Sequence, residues 1–426
     1  MQFFISEIAH KIIGNIRIAA VDEKYKKKEK LMMQSFVQYT PTKVVFGKDT
    51  QKETGKLASE LGATKVFLVY GGGSVIRSGL LDEIKKSLDE EHISYEELGG
   101  VKPNPRLSFA RKGVEKAIAF GAELILAVGG GSAIDTAKGI AIGAANPDTD
   151  IWEFWKNKKE LKKALPVGTV LTISAAGSEM SNSAVLTDEE TQDKSGIGSD
   201  LIRPKFAIMN PKLTYTLPKY QLTCGIVDIF MHTIERYFTP VHGNELTDEI
   251  AEGLMRTLIR NAAKAYENQE DYDAMSEIMW CGSISHNGIT GLGRPKDFLC
   301  HKLGHQLGAK FDEAHGATLS AVWGSWARYV YHLDEARFAN YGRKVWNIDE
   351  ENDEKTAVAA IEKTEEFFRS LHMPTCLGDM KMGVQPDEVL KEMAGKATAG
   401  DTMKVGAFQK MGAKELYEIY KKANHR

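Results

Sequence analysis

The chain has 426 residues, of which 42% are hydrophobic, 27% charged and 9% aromatic. That suits two domains at about 100–200 residues each, and it excludes collagen, disorder and a disulfide scaffold. The 55 Lys and Arg against 58 Asp and Glu give a formal charge of −3, so no overall cationic field exists to hold nucleic acid or anionic lipid. No apolar run reaches the ~18 residues a membrane helix needs. Cys224, Cys281, Cys300 and Cys376 show no C-x-x-C spacing, which suits a reducing compartment. A cytoplasmic protein with neither membrane nor nucleic-acid partner is expected.

Residues 1–31 read as an extension outside the fold. Met1–Ile5 is apolar, but Glu7, His10 and Lys11 break it before a signal-peptide core forms. Lys24–Lys30 (KYKKKEK) reads as a solvated tail, and a strand-like pattern begins at Phe36. Val66–Tyr70 (VFLVY) and Leu124–Val128 (LILAV) are strand-length runs ending in glycines, followed by helical patterns over Leu80–Leu88 and Ala133–Ala145. Strand, glycine turn, helix predicts a parallel sheet with crossover helices. Pro103-Asn104-Pro105 predicts a rigid turn, with Ser108 capping the next helix. Further strands are expected near Val167–Ile173 and Phe206–Met209. After Pro211, helical spacing takes over, at roughly 222–238, 246–267, 271–287, 297–309, 315–331, 354–371 and 386–397. The expectation is an α/β domain over 32–210 and an all-helical domain over 211–426.

Gly129-Gly130-Gly131-Ser132 follows an apolar strand and opens a helix carrying Asp135 and Lys138. Glycine lets backbone N–H groups approach an anion, and a helix N-terminus adds uncapped donors with partial positive charge. A pyrophosphate would sit there, although a plain tight turn uses the same residues. Gly71-Gly72-Gly73-Ser74 repeats the arrangement one unit earlier. NAD-selective sites usually place an acidic side chain at such a strand end for the ribose hydroxyls. None lies between Tyr70 and Leu81, where Ser74, Arg77 and Ser78 stand instead, so NADP(H) is favoured over NAD(H).

Asp228 and His232 are four apart and share a helix face. His301 and His305 repeat that spacing, and His315 follows ten residues later at a helix start. Any one alone reads as a hydrogen-bonded core or surface histidine. With only eleven histidines in the chain, the two pairings and their neighbour predict a metal site. Asp with several His suits Zn²⁺, Fe²⁺ or similar ions rather than Ca²⁺ or Mg²⁺. Cys224, one turn before Asp228, reads as core packing, and Cys300 points about 100° from His301. The remaining histidines, His286 among them, lack partners at useful spacing.

The motifs GGGSAIDTAK (129–138), SAAGSE (174–179), DIFMHTIE (228–235) and HKLGHQLGAKFDEAHG (301–316), with YGGGSVIRSG (70–79), resemble those of the iron-containing (group III) alcohol dehydrogenases. The resemblance is greatest to the butanol-dehydrogenase-like branch and runs from about Phe36 to the C-terminus. It implies an α/β dinucleotide-binding domain followed by an all-helical metal-binding domain. Asp228, His232, His301 and His315 match ligands of Fe²⁺, with Zn²⁺ as the alternative, and His305 matches a non-ligand histidine near the nicotinamide. Gly129, Gly130, Gly131 and Ser132 match the pyrophosphate turn, with Asp135 and Lys138 behind it. Gly71, Gly72, Gly73 and Ser74 match the turn near the adenosine ribose; Thr172 matches a cofactor contact and Lys194 a lysine at the nicotinamide ribose. A TGSE pattern common in the family reads Ala176-Gly177-Ser178-Glu179 here, which removes one hydroxyl from the cofactor's reach.

The implied reaction is hydride transfer between NAD(P)(H) and a primary alcohol or aldehyde such as butanol or butyraldehyde, on a metal ion. His305 would relay the proton, with a pKa suited to neutral pH, and a homodimer or larger homo-oligomer is implied. Glycerol-dehydrogenase-like polyol oxidation and a dehydroquinate-synthase-like lyase share the two-domain plan. The lyase would need a basic cluster near the metal, and around 286–300 only Arg294 and Lys296 are found. A catalytically silent cofactor-binding protein is the remaining alternative, and the intact ligand set argues against it. Trp152, Phe154, Trp155 and Trp280 read as core or interface rather than pocket wall.

Overall fold

The computed structural model describes residues 33–426; the expected extension over 1–31, with its lysine run, lies outside them. Residues 33–42 carry no regular structure, so the strand expected from Phe36 is absent. Phe36, Val37 and Tyr39 stand exposed, and no strand among the described residues pairs with them. Strands β1 (Lys43–Phe46), β2 (Lys65–Tyr70), β3 (Ser94–Gly99), β4 (Leu124–Gly129), β5 (Val167–Leu171), β6 (Ser183–Asp188), β7 (Asp193–Gly198) and β8 (Phe206–Met209) follow in chain order. Six of them form an all-parallel sheet in the order β1-β8-β5-β4-β2-β3, and β6 and β7 pair as a separate antiparallel ribbon. Helices α1 (Thr54–Glu60), α2 (Ser74–Arg77), α3 (Leu80–Glu90), α4 (Leu107–Phe120), α5 (Gly131–Ala145) and α6 (Ile151–Trp155) supply the connections.

The central strands are apolar on both sides because the sheet is covered on both faces. Val66, Leu68, Leu124, Leu126 and Val128 join one core, and Phe67, Val69, Ile125 and Ala127 join the other. Edge strand β3 (SYEELG) is mostly exposed and has no such run, which is why its sequence carried no strand signal. The cap expected at Ser108 is also displaced. Arg106 occupies the N-cap of α4 without a side-chain bond, and the Ser108 hydroxyl donates to the Glu189 carboxylate instead. After β3 the chain crosses back over β2, so the strand order reverses between β2 and β4. The crevice beyond the carboxyl ends at such a reversal is where open α/β sheets bind ligands, and both glycine turns lie there.

Past β8 the chain is helical: α7 (Lys219–Tyr237), α8 (Glu245–Glu267), α9 (Tyr272–His286), α10 (Leu299–Phe311), α11 (His315–Val330), α12 (Glu335–Tyr341), α13 (Asp353–Ser370), α14 (Asp387–Ala397) and α15 (Ala413–Ala423). Helix α7 is buried on every side from Gly225 to Tyr237, as a helix at the centre of a bundle must be. The short α12 and the C-terminal α15 are additions to the sequence expectation, although Leu416, Ile419, Tyr420 and Ala423 bury one regular stripe of α15. Two glycines let α7 touch its neighbours backbone to backbone. A Cβ at Gly225 would lie 2.2 Å from the Ser174 carbonyl oxygen in the loop after β5, and one at Gly316 would lie 2.1 Å from the Cys224 carbonyl oxygen. These contacts lock α7 between the sheet's ligand end and the start of α11.

Lys138 on α5 is fully buried and donates to the carbonyls of Ser178 at 2.7 Å, Ser181 at 3.0 Å and Ser183 at 2.8 Å. It thereby fastens the segment leading into β6 to the helix behind the glycine turn. Burial pushes its ammonium down to about 8, against the pull of Asp135 and Glu179. Lys138→Met would leave those carbonyls unpaired, at about 1–3 kcal/mol for each buried group. The denaturant midpoint is expected to fall accordingly, and an unshifted midpoint would show that the segment is held by other contacts.

Candidate active site

One buried carboxylate oxygen gathers the histidines. From Asp228 Oδ1, His232 Nδ1 lies at 3.3 Å, His301 Nε2 at 3.6 Å and His315 Nε2 at 3.7 Å. The Nε2 atoms of His232 and His301 are 3.1 Å apart. Helix α7 supplies the first pair, α10 brings His301, and α11 begins at His315. Asp228 Oδ1, His232 Nδ1 and His315 Nδ1 are buried without a hydrogen-bond partner among the described residues. Buried polar atoms are normally paired, and this oxygen–nitrogen set fits a divalent ion of borderline softness. Asp228, His232 and His301 each offer a ligand atom within 4.8 Å of the others.

Neighbouring groups orient those rings. Glu235, one turn beyond His232 on α7 and fully buried, bonds His301 Nδ1 and accepts the Cys300 N–H at 2.6 Å. It therefore fixes which nitrogen of His301 faces Asp228. Burial disfavours the His301 imidazolium, but the Glu235 and Asp228 carboxylates outweigh it and raise the ring to about 9. Arg236 donates to the His232 carbonyl at 2.6 Å. His286, which the sequence left without a role, packs edge-on to His232 with ring centres 4.1 Å apart. Its Nε2 meets Ser183 Oγ at 2.9 Å and its Nδ1 meets Arg236 Nη2 at 3.3 Å. Those partners are 103 and 50 residues away in the chain, beyond any spacing argument.

A cavity of about 1210 Å³ runs from the sheet's switch point to the histidines. Gly71, Gly72 and Ser74 line it, whereas Gly73 does not and instead precedes α2 as its N-cap. A Cβ at Gly72 would meet nothing within 4 Å, which leaves open room at the end of β2. Gly129 to Ser132 also line it, and α5 starts there with no side-chain cap among the described residues, which leaves its first turn with donors available to an anion. Gly130 has a further reason: a Cβ would lie 1.9 Å from Ile173 Cγ2 in the loop after β5. Thr172 lines the cavity and gives its N–H to the Gly129 carbonyl at 3.1 Å.

Of the expected cofactor residues behind the glycine turn, Asp135 lines the cavity and Lys138 does not. Asp135 accepts from Ser178 Oγ at 2.6 Å and from the Val185 N–H at 2.8 Å, and burial raises its pKa. Lys138 does not face the cavity at all, because its ammonium is consumed by the carbonyls described above. Lys194 lines the cavity and donates to Asn104 Oδ1 at 2.8 Å, with burial pushing it down to about 8. His305 lies beside it. Burial, with the Lys194 ammonium, pushes His305 well below the ordinary histidine range, which favours the neutral ring. Trp152, Phe154, Trp155 and Trp280 do not line the cavity: Phe154 and Trp155 are core, with Trp152 packed against them, and Trp280 packs edge-on against Phe46 at 6.5 Å.

An anion-binding crevice on a parallel sheet, facing an Asp/His set in a helical bundle, is the arrangement of a metal-assisted dehydrogenase using a dinucleotide. The chain belongs to the iron-containing alcohol dehydrogenase family, whose model, "Iron-containing alcohol dehydrogenase", matches residues 41–211 and whose C-terminal model matches 223–424. It is 39% identical over 393 residues to NADH-dependent butanol dehydrogenase A of Clostridium acetobutylicum, covering 92% of this chain and 100% of that one. It is 37% identical over 349 residues to the NADPH-dependent aldehyde reductase YqhD of Escherichia coli, covering 82% and 89%. The crystal structure of NADH-dependent butanol dehydrogenase A from Thermotoga maritima superposes with a TM-score of 0.88 at 35% identity, covering 93% of this chain and 100% of that one. The chain is thus an NAD(P)-dependent alcohol dehydrogenase/aldehyde reductase of the butanol-dehydrogenase-like branch, and no helix among the described residues is long and apolar enough to cross a membrane.

Glu235→Gln removes the carboxylate that orients His301, and metal affinity should fall about 10–100-fold. Competition titration with a chromophoric chelator measures it; unchanged affinity would mean that His301 is oriented by packing alone. Gly316→Ala forces α11 off the α7 backbone, and the thermal midpoint should drop with a loss of about 1–3 kcal/mol.

Proposed function

We propose that Asp228, His232, His301 and His315 hold Fe²⁺, with Zn²⁺ as the alternative, and that the chain reduces short primary aldehydes such as butyraldehyde, and oxidises the matching alcohols, preferentially with NADP(H). The observation that carries the proposal is the unpaired Asp228 oxygen ringed by three imidazoles at the inner end of the cavity. A divalent ion supplies Lewis acidity toward an alcohol or carbonyl oxygen, and the nicotinamide supplies or accepts the hydride. The uncapped N–H groups at the start of α5 bind the pyrophosphate. Lys194, steadied by Asn104, reaches the nicotinamide ribose. His305, uncharged and beside Lys194, accepts the proton released in alcohol oxidation and returns it in aldehyde reduction. Burial of Asp228 and His232 keeps bulk water from the inner end.

The preference for NADP(H) rests on the turn after β2. Gly71, Gly72 and Ser74 line the cavity there, and no carboxylate stands between Tyr70 and Leu81. The relatives' names divide between NADH and NADPH. A homo-oligomer is part of the same proposal, supported by the exposed Phe36, Val37 and Tyr39 just ahead of edge strand β1.

Initial rates of NADPH and NADH oxidation with butyraldehyde test the reading, using anaerobic protein stripped of metal and then reloaded. Turnover should vanish on stripping, return with Fe²⁺ or Zn²⁺, and be faster with NADPH. Ser74→Asp should move the preference toward NADH by about tenfold, the equivalent of 1.4 kcal/mol. Faster turnover with NADH in the wild type would overturn the ribose assignment alone. No turnover with either cofactor at full metal occupancy would overturn the site.

A further inference from the structure

The sequence around residues 286–300 offers only Arg294 and Lys296 as basic groups, but the fold assembles more. Arg203, Arg236, Arg294 and Lys296 all line the cavity on the side of His286. Two of the four are paired with carboxylates. Arg203 pairs with Asp200 at 2.9 Å, and Arg294 pairs with Asp248, which it shares with Arg337. Arg236 and Lys296 have no carboxylate within ion-pair distance among the described residues. Glu235, next to Arg236 in sequence, is turned to His301, and Asp297, next to Lys296, accepts the Ala407 and Phe408 N–H groups.

Arg236 is the more informative of the pair. It is 2% exposed, its guanidinium lies 4.6 Å from the Phe298 ring centre, and its Nε has no hydrogen-bond partner. Its other nitrogens bond the His232 carbonyl and His286 Nδ1, so it adjoins the donor set directly. Phe298 holds a left-handed backbone conformation, φ +51°, to place its ring against Arg236 and His301; a bulky residue takes that conformation only where surrounding contacts impose it. Lys296 is exposed to the cavity. Desolvation by the cavity walls, followed by the repulsion of Arg236 and Arg203, pushes its ammonium down to about 8. A buried, unpaired cation is costly unless something neutralises it.

We infer that Arg236 and Lys296 form an anion subsite beside the Asp/His set, which selects aldehydes carrying a carboxylate or phosphate at the far end over neutral ones of the same length. This rests on the aldehyde-reductase reading and deepens it. The carbonyl carbon takes the hydride of NAD(P)H and its oxygen takes a proton, giving the hydroxy acid or hydroxy phosphate and NAD(P)⁺; the anionic end is unchanged.

The test compares kcat/KM on the metal-loaded enzyme for butyraldehyde, 4-oxobutanoate and glycolaldehyde phosphate. Butyraldehyde turnover reports the underlying activity, and the ratios report the subsite. At least one anionic aldehyde should exceed butyraldehyde by roughly tenfold or more, as one charge-assisted hydrogen bond provides, and the better of the two identifies the head group. Lys296→Glu should bring that ratio to one or below, and Lys296→Arg should preserve it. Calorimetry with succinate, which cannot react, should show binding to the wild-type holoenzyme and none to Lys296→Glu. Active enzyme with both ratios at or below one, or ratios and succinate binding indifferent to Lys296→Glu, would overturn the inference.

Discussion

A carboxylate cannot be left bare inside a protein, and the rest of this structure is arranged around that fact. Asp228 sits on the most buried helix of the molecule with one oxygen unpaired. Its neighbours do not quench it by donating to it; they aim imidazole nitrogens at the same point. Such a set is unfavourable for an empty interior and favourable around a cation. Stability and function are therefore in tension here, and the surrounding helices hold the donors together against their own electrostatics. Glu235 and Arg236, consecutive on α7, do this from opposite sides: one grips His301, the other the His232 carbonyl.

The second constraint is the fit between the two halves. The loop after β5 meets α7 at Gly225, and α11 meets α7 at Gly316, in both cases with no space for a side chain. On the far side of the cavity, Asn104 and Arg106 of the α/β half bond Asp312 of the helical half at 3.0 and 2.9 Å. The distance between the glycine turns and the histidines is thus set by backbone contacts, which compress little. Hydride transfer demands such fixity, because the reacting carbons must approach within contact distance. The same Asn104 that braces the halves also accepts from Lys194, so the contact between the halves and the position of the lysine depend on one side chain.

What the sequence disclosed follows from how local each signal was. The buried strands announced themselves because a strand covered on both faces must be apolar throughout, and the Asp/His cluster did so because helical periodicity puts Asp228 with His232 on one face. The same periodicity finds a stripe but not its partners. His286 and Ser183 meet only once the sheet and the bundle are docked, so neither looked functional alone. Lys138 joined the expected cofactor set through the GGGSAIDTAK resemblance, and in the fold its buried ammonium turns inward to three carbonyls. The position of His305 was legible, but its protonation depends on burial and on Lys194, 111 residues earlier in the numbering (305 − 194). Edge strand β3 was invisible because an exposed strand has no reason to be apolar.

The division of labour between the halves also explains why specificity is easier to read at one end of the cavity than at the other. The end by the glycine turns is built mainly from backbone, where amides suit any anion and a Cβ at Gly72 would meet nothing within 4 Å. The end by the histidines is built from side chains contributed by separate elements: Arg236 from α7, His286 from α9, and Lys296 and Phe298 from the loop leading into α10. A family can therefore share the fold and the donor set while differing in substrate, because side chains such as Lys296, which lie outside α7, can change without disturbing it. In this chain two residues at that end, Arg236 and Lys296, are cationic, and neither has a carboxylate within ion-pair distance among the described residues, since Glu235 is committed to His301. With the inferred anion subsite, the charge of the substrate becomes part of the site's own balance.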